Sequence, residues 1–379
     1  MGNGWMGKIL RVNLTDETVK TEPLNMADAR LYAGGKGLGT KYCADLINPN
    51  ANPLGSENVL ALMTGPLTGT LAPCAGMIAV VSKVPQSGEI RSCNSGGYFG
   101  PELKFAGWDG VIVEGKAKNP VYLSVHNDHA VVRNASHLWG RSVSAAIKEI
   151  AKEAGDDAKI ACIDPSGENL DLSAAIINEK SRTSEGLGFG AVMGSKNLKA
   201  IAVKGTKSIR AAKNQDFLSA CLKARKIMKD IGQSAVKTTA PVGVPDGWLT
   251  YLTANWKHSC FGANGGCFGC FPNCGAAIPV EKLPFMGFGK SLKEETDWSL
   301  EQNRVVEETP EQKMFRDFMA FVCSVGICPS ATTAIGLQEI AEMFRTCTDF
   351  DGTDEEVLQI GERIRNLEMS FNRSAELLK

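Results

Sequence analysis

Polar and apolar side chains alternate along Lys8-Ile-Leu-Arg-Val-Asn-Leu14, and Thr15-Asp-Glu-Thr18 supplies a turn before Val19. Residues 1 to about 25 therefore read as a β-hairpin, because a period of two places one apolar face against a core. Short apolar runs at Asn58–Leu62, Met77–Val84, Val111–Glu114, Val121–Val125 and Ala200–Lys204 read as further strands. A helix precedes Ala33, Thr40–Leu46 forms another, and Ser142–Ala154 carries apolar residues at helical spacing. After about residue 211 the period lengthens. Asp216–Ile231, Glu311–Ala320, Ala334–Arg345 and Glu355–Leu378 are amphipathic at 3.6 residues per turn, and Asp351-Gly-Thr-Asp-Glu is a capped start for the last. The pattern predicts an α+β protein: a β-rich, two-sheet domain over 1–210, then a mainly helical part over 211–379. Lys282–Thr309, polar and weakly patterned, reads as a joint near 282–310.

Composition narrows the role. A chain of 379 residues holds more than one core's worth of apolar surface. With 22% charged residues and a formal net charge of -1, nothing favours nucleic acid or an anionic membrane as partner. No apolar run reaches the ~20 residues that span a bilayer, and no secretory leader is recognisable. A cytoplasmic protein with a small-molecule substrate is the expectation. Twelve cysteines then fit a reducing compartment and metal ligation better than a disulfide framework. Forty glycines exceed the usual share of ~7%, which points to tight turns and close backbone approaches.

The densest chemistry is Cys267-Phe-Gly-Cys270-Phe-Pro-Asn-Cys274. Three thiolates at this spacing can share one inorganic cluster whose fourth ligand comes from elsewhere, and Cys328, at the end of Cys323-Ser-Val-Gly-Ile-Cys328, is the candidate. Zinc and inert buried thiols compete with that reading, since CxxC is also zinc spacing. Two glycine-rich stretches stand out, Asn94-Ser95-Gly96-Gly97 and Gly186-Leu-Gly188-Phe-Gly190. Both permit close approach of a bulky polar ligand. The run Ala33–Gly39 fits neither the Walker nor the dinucleotide pattern and reads as a tight connection into a helix. His258 lies just before the cysteine loop and is a candidate for proton transfer. Glu102 and Asp109 are expected to make structural hydrogen bonds. Cys43, Cys74, Cys93, Cys162, Cys221 and Cys347 are expected to be buried as small hydrophobes.

Several runs together resemble the aldehyde ferredoxin oxidoreductase family. They are Gly7-Lys-Ile-Leu-Arg-Val-Asn-Leu, Asn94-Ser-Gly-Gly-Tyr-Phe-Gly-Pro-Glu-Leu-Lys-Phe-Ala-Gly-Trp-Asp, Gly190-Ala-Val-Met-Gly-Ser-Lys-Asn-Leu-Lys-Ala, the cysteine run and Gly361-Glu-Arg-Ile-Arg-Asn-Leu-Glu. The resemblance implies tungsten, or less often molybdenum, held by two pterins beside a 4Fe-4S cluster. It implies Cys267, Cys270, Cys274 and Cys328 as cluster ligands. Asn94, Ser95, Gly96 and Gly97, with Gly186, Gly188 and Gly190, would contact a pterin or a magnesium ion bridging the pair. Arg182 or Arg91 would serve as phosphate partner. The implied reaction is oxidation of an aldehyde to a carboxylic acid, with ferredoxin or an iron-sulfur partner subunit as acceptor, in a homo- or hetero-oligomer.

The chain also departs from the family pattern. The family's central domain, with its aspartate-glycine pterin motif, is not recognisable between the cysteine loop and the C-terminal helices. Cys323 stands where an aspartate is usual, and Met77 where many members have arginine. Two alternatives therefore accompany the aldehyde reading: a benzoyl-CoA type reductase subunit, and a shortened electron-transfer or cofactor-binding protein without turnover.

Overall fold

The computed structural model describes residues 3–179, 182–183, 187–233, 267–270 and 310–376. Twelve strands among them form two six-stranded mixed sheets. The first sheet has the order β2-β1-β6-β3-β4-β5, with β1 Lys8–Asn13, β2 Thr18–Pro23, β3 Leu60–Thr64, β4 Ile78–Lys83, β5 Ile90–Ser95 and β6 Gly110–Glu114. The second has the order β11-β10-β9-β12-β7-β8, with β7 Val121–His126, β8 His129–Asn134, β9 Lys159–Cys162, β10 Ile177–Asn178, β11 Arg182–Thr183 and β12 Leu198–Lys204. Only β1 with β6 and β7 with β12 pair in parallel. The expected hairpin is β1–β2, in register from Lys8 opposite Pro23 to Asn13 opposite Thr18.

Strand alternation sorts the side chains into layers. Leu10, Val12, Leu60, Leu62, Ile78, Val80, Val111 and Val113 of the first sheet share one core with Leu123, Val125, Ala161, Ile201 and Val203 of the second. Their neighbours point the other way. Ile9, Ala61, Met63, Ala79, Val81, Ile90 and Ile112 join the core that also contains the C-terminal helices. Tyr122, Ile160, Cys162, Ala200 and Ala202 pack under α4 Val143–Ala154, which Ser142 caps through its hydroxyl. The two packed sheets anticipated from sequence are thus flanked by helices on both outer faces.

Besides α4, the first 210 residues contain α1 Met26–Tyr32, α2 Gly35–Leu46, α3 Phe99–Phe105, α5 Pro165–Glu168 and α6 Phe189–Ser195. The later part is mainly helical where described: α7 Asn214–Gln233, α8 Pro310–Val325, α9 Leu337–Thr348 and α10 Asp354–Glu376. The joint expected near 282–310 lies almost wholly outside the described residues.

Two local differences from the sequence reading have packing causes. The run Ala33–Gly39 is not a loop, because α2 already begins at Gly35. A β-carbon at Gly37 would lie 2.7 Å from the Ile364 side chain, and one at Gly39 would lie 2.5 Å from Val81, so these glycines let the helix lie against its neighbours. The Gly37 N–H donates to the Ser324 hydroxyl at 2.9 Å, which occupies a donor that an anion would need. Asn94 and Ser95 end strand β5 rather than opening a free loop.

Buried charges are engaged within the chain. Lys104 and Asp109 are fully buried 3.1 Å apart, and Asp109 also accepts from the Met6 and Gly7 N–H groups at 2.9 and 2.6 Å. Lys199 pairs with Glu168 in the second sheet's helical layer. Glu102 accepts from the Gly205 N–H at 2.8 Å, and burial raises its pKa. Both carboxylates have the structural role expected of them. Lys196 donates to the Asn58 and Gly115 carbonyls at 2.5 and 3.1 Å, and burial pushes its pKa down to about 8.

Helices α8 and α10 touch closely enough to make one glycine indispensable. A β-carbon at Gly361 would sit 1.8 Å from the Asp317 carbonyl oxygen. Gly361→Ala is expected to cost ~3 kcal/mol by forcing the helices apart, which should appear as a drop of several degrees in Tm. An unchanged thermal midpoint would contradict the packing.

Candidate functional site

The cysteine segments meet at the turn-rich stretch between β3 and β4. The Cys74 N–H donates to the Gly269 carbonyl at 2.8 Å, and the Cys74 carbonyl accepts from the Cys328 N–H at 2.9 Å. One residue therefore binds both the CxxC loop and the segment carrying the distant cysteine. The loop is a tight turn, closed by a hydrogen bond from the Cys270 N–H to the Cys267 carbonyl at 2.9 Å, with Gly269 at φ +64°. Its Phe268 N–H donates to the Gly97 carbonyl at 3.2 Å. Cys267, Cys270 and Cys328 are all partly buried. Cys274 and His258 lie outside the described residues. Among the described residues no three His, Cys, Asp or Glu side chains form a metal-binding group on their own.

Backbone proximity also builds the wall behind Cys328. A β-carbon at Gly326, where φ is +91°, would lie 2.1 Å from the Thr68 hydroxyl. At Gly65 one would lie 2.1 Å from the Val325 carbonyl carbon. The Leu67 N–H donates to the Val325 carbonyl at 2.9 Å. The 64–77 stretch is thus fitted against residues 323–328 with no room for added atoms. Cys323 is partly buried in the last turn of α8, and its carbonyl oxygen would lie 2.5 Å from a β-carbon on Gly35.

Strand β5 brings the asparagine-glycine run to the same place. A β-carbon at Gly96 would lie 2.6 Å from Cys267 Sγ and 3.5 Å from Met77 Sδ. Asn94 is two residues earlier, near the end of β5. Its Oδ1 is buried and has no hydrogen-bond partner among the described residues. A buried acceptor without a donor is costly, and a bound cation or a donor-bearing ligand would relieve it. Ser95 is different. It points between the sheets and accepts from the Asn178 amide at 2.9 Å, so its side chain does not share the Asn94 face.

The second glycine run is only partly described. Gly186 lies outside the described residues, and of Arg182 only its place in β11 is given. The positions beyond a β-carbon at Gly188 are filled by Pro85 at 2.8 Å and the Leu172 carbonyl at 2.9 Å, and beyond Gly190 by Ala174 and Ala175. These two glycines allow segments of the chain to pack on each other. Arg91 is buried, with its guanidinium 2.5 Å from Glu89.

The other described cysteines read as hydrophobes. Cys43, Cys74, Cys93, Cys162, Cys221 and Cys347 are buried. Burial pushes the thiols of Cys162, Cys221 and Cys347 up to about 12, so they stay protonated near neutrality and make poor ligands. Sequence reasoning missed what the Cys74 backbone does, because a pair of main-chain hydrogen bonds leaves no mark on side-chain spacing.

Comparison with known proteins identifies the family. The model of the aldehyde ferredoxin oxidoreductase N-terminal domain matches residues 9–205, and that of domains 2 and 3 matches residues 293–377. The chain belongs to the aldehyde ferredoxin oxidoreductase family. A tungsten-containing aldehyde ferredoxin oxidoreductase of Pyrococcus abyssi is 40% identical over 322 residues, covering 79% of this chain and 53% of the relative. An aliphatic sulfonate oxidoreductase, WOR-like subunit, of Pyrococcus furiosus is 38% identical over 217 residues, covering 53% of this chain and 34% of the relative. The active-site complex BamBC of benzoyl coenzyme A reductase, with 1,5-dienoyl-CoA, shares the fold with a TM-score of 0.66 at 24% identity, over 95% of this chain and 60% of its own. The chain spans about half the length of the curated relatives it matches. No described helix is long and apolar enough to cross a membrane.

Proposed function

We propose that this chain is a tungsten-pterin and iron-sulfur dependent oxidoreductase that converts aldehydes to carboxylic acids and passes electrons to ferredoxin or a partner subunit. The observation that carries this reading is the hydrogen bonding of both cysteine segments to Cys74, with Cys267 lying over Gly96, two residues along the chain from Asn94, whose buried Oδ1 has no partner among the described residues. The donor set suits the groups the family implies: soft thiols for iron, and a buried amide oxygen beside glycine backbone for a pterin or its magnesium.

In this reading Cys267, Cys270, Cys274 and Cys328 hold a 4Fe-4S cluster, and Asn94, Gly96 and Gly97 face the pterin. Ser95, Arg182, Gly186, Gly188 and Gly190 are the further cofactor contacts that the family resemblance implies. Tungsten, or molybdenum in its place, held by the pterins supplies the two-electron chemistry when bound. The net reaction takes up one water and releases two electrons and two protons. This chain's own contribution is to position the groups and exclude water, with His258 as the residue that moves a proton. Cytoplasmic residence and association with a partner or a second copy complete the proposal.

The test is anaerobic expression with tungstate, followed by tungsten, pterin, iron and sulfide analysis and an aldehyde-dependent viologen dye assay. Tungsten near one equivalent per chain with dye reduction supports the enzyme. Iron and sulfide without tungsten or turnover would replace it with the electron-carrier reading. Turnover with an aromatic acyl-CoA and none with aldehydes would instead identify a benzoyl-CoA type reductase.

A further inference from the structure

We propose that Phe268 is a positioning residue: its ring, keyed against Tyr98 and Phe105, sets how firmly the Cys267–Cys270 loop holds its cluster. The proposal rests on the iron-sulfur reading above and concerns retention of the cluster, not its existence.

The main-chain anchors of the loop do not depend on the side chain at position 268. Phe268 N–H to the Gly97 carbonyl, Gly269 carbonyl from the Cys74 N–H, and Cys270 N–H to the Cys267 carbonyl would be available to almost any residue there. What Phe268 adds is aromatic packing. Its ring meets Tyr98 edge-on, with centroids 6.1 Å apart and planes at 88°, and meets Phe105 at 5.9 Å and 68°. Both lie in the favourable edge-to-face range.

The two partners flank α3, with Tyr98 at its N-cap and Phe105 its last residue, so the ring spans the two ends of a short helix. That helix is itself tied down. The Tyr98 N–H donates to the Glu179 carboxylate, Glu102 accepts from the Gly205 N–H at 2.8 Å, and Lys104 is held in the fully buried pair with Asp109. The Gly69 backbone closes the approach to Phe105, since a β-carbon there would lie 3.4 Å from its ring. A loop of two thiol ligands separated by two residues is therefore referenced to a rigid element through the first of those two residues, Phe268. Ligands held in place by their supporting neighbours release metal more slowly.

Tyr98 is 39% exposed, so its removal tests the contact without emptying a core. The experiment uses the full chain, loaded with iron and sulfide under anaerobic conditions, and follows bleaching near ~400 nm after addition of a ferrous chelator. Phe268→Ala is expected to bleach about tenfold faster than the wild type, and Tyr98→Ala about threefold faster. Phe268→Tyr should restore the slow rate. The iron-free proteins should melt within about 2 °C of one another, because the ring secures the loop and not the domain. A wild-type bleaching rate in Phe268→Ala overturns the clamp and leaves the cluster reading intact. Equal loss of iron-free Tm overturns it in favour of a purely structural ring. A wild-type chain that takes up no iron overturns the cluster reading beneath it.

Discussion

Cys270→Ser is expected to abolish the broad visible absorption near ~400 nm and reduce iron to below about one-tenth of the wild-type content. Cys270 closes the turn that begins at Cys267, and that turn is hydrogen-bonded to the same Cys74 that holds the Cys328 segment. Serine leaves the main-chain hydrogen bonds of the turn available, but replaces a thiolate with a hydroxyl that stays protonated at neutral pH and binds iron poorly. The loss should therefore be in metal and colour, with little change in the iron-free melting curve. Cys162→Ser is the matched control. Its thiol is buried on the far side of the second sheet with a pKa pushed up to about 12, so the variant should lose some stability and keep its iron. Full iron and an unchanged spectrum in Cys270→Ser would refute the ligand assignment.

How much of this was legible in the sequence depends on what kind of force built each part. Strands with one apolar face, such as Lys8–Asn13, declare themselves because burial enforces the period. So do helices with a capped start and an apolar stripe, such as Asp354–Glu376. Strand β5 was not legible, since Arg91, Ser92, Asn94 and Ser95 make it read as loop. Its partner β4, buried at every position, supplies the ladder that the polar strand completes. The start of α2 within a glycine run was hidden for the opposite reason. Local propensity disfavours it, and close contacts with Val81, Ile364 and residues 323–324 override the propensity.

The site divides in the same way. Thiol spacing is a property of neighbouring residues and marks the CxxC loop from sequence alone. The meeting of Cys74 with Gly269 and Cys328 is a property of three distant main chains. Ser95 illustrates the remaining limit: the run Asn94–Gly97 reads as one polar patch, yet Ser95 meets the Asn178 amide while Gly96 faces Cys267.

Gly96→Val is expected to strip the site of its metal and cofactor while leaving the fold standing. The first new atom would lie 2.6 Å from Cys267 Sγ, closer than a carbon and a sulfur can pack, and Met77 Sδ at 3.5 Å bars the side chain from turning that way freely. Two responses are open. The backbone of β5 can shift, which would disturb its ladder with β4 from Ile78 opposite Ser95 to Lys83 opposite Ile90. Alternatively Cys267 can move, which requires only that its thiol rotate or the loop lift from the Gly97 carbonyl. The second costs less, because one loop hydrogen bond contributes ~1 kcal/mol against the several ladder bonds that the first would strain. Cys267 is therefore the group that yields, and a displaced thiol cannot complete the cluster. In the proposed reading Gly96 and Asn94 both face the pterin, so the valine should cost pterin as well as iron. Pterin, tungsten, iron and Tm measured on one preparation should show all three cofactor components below about one-tenth of wild type, with Tm lowered by no more than a few degrees. Full cofactor retention would show that this face does not meet the ligand, and a collapse of Tm in proportion to metal would make Gly96 a packing glycine alone.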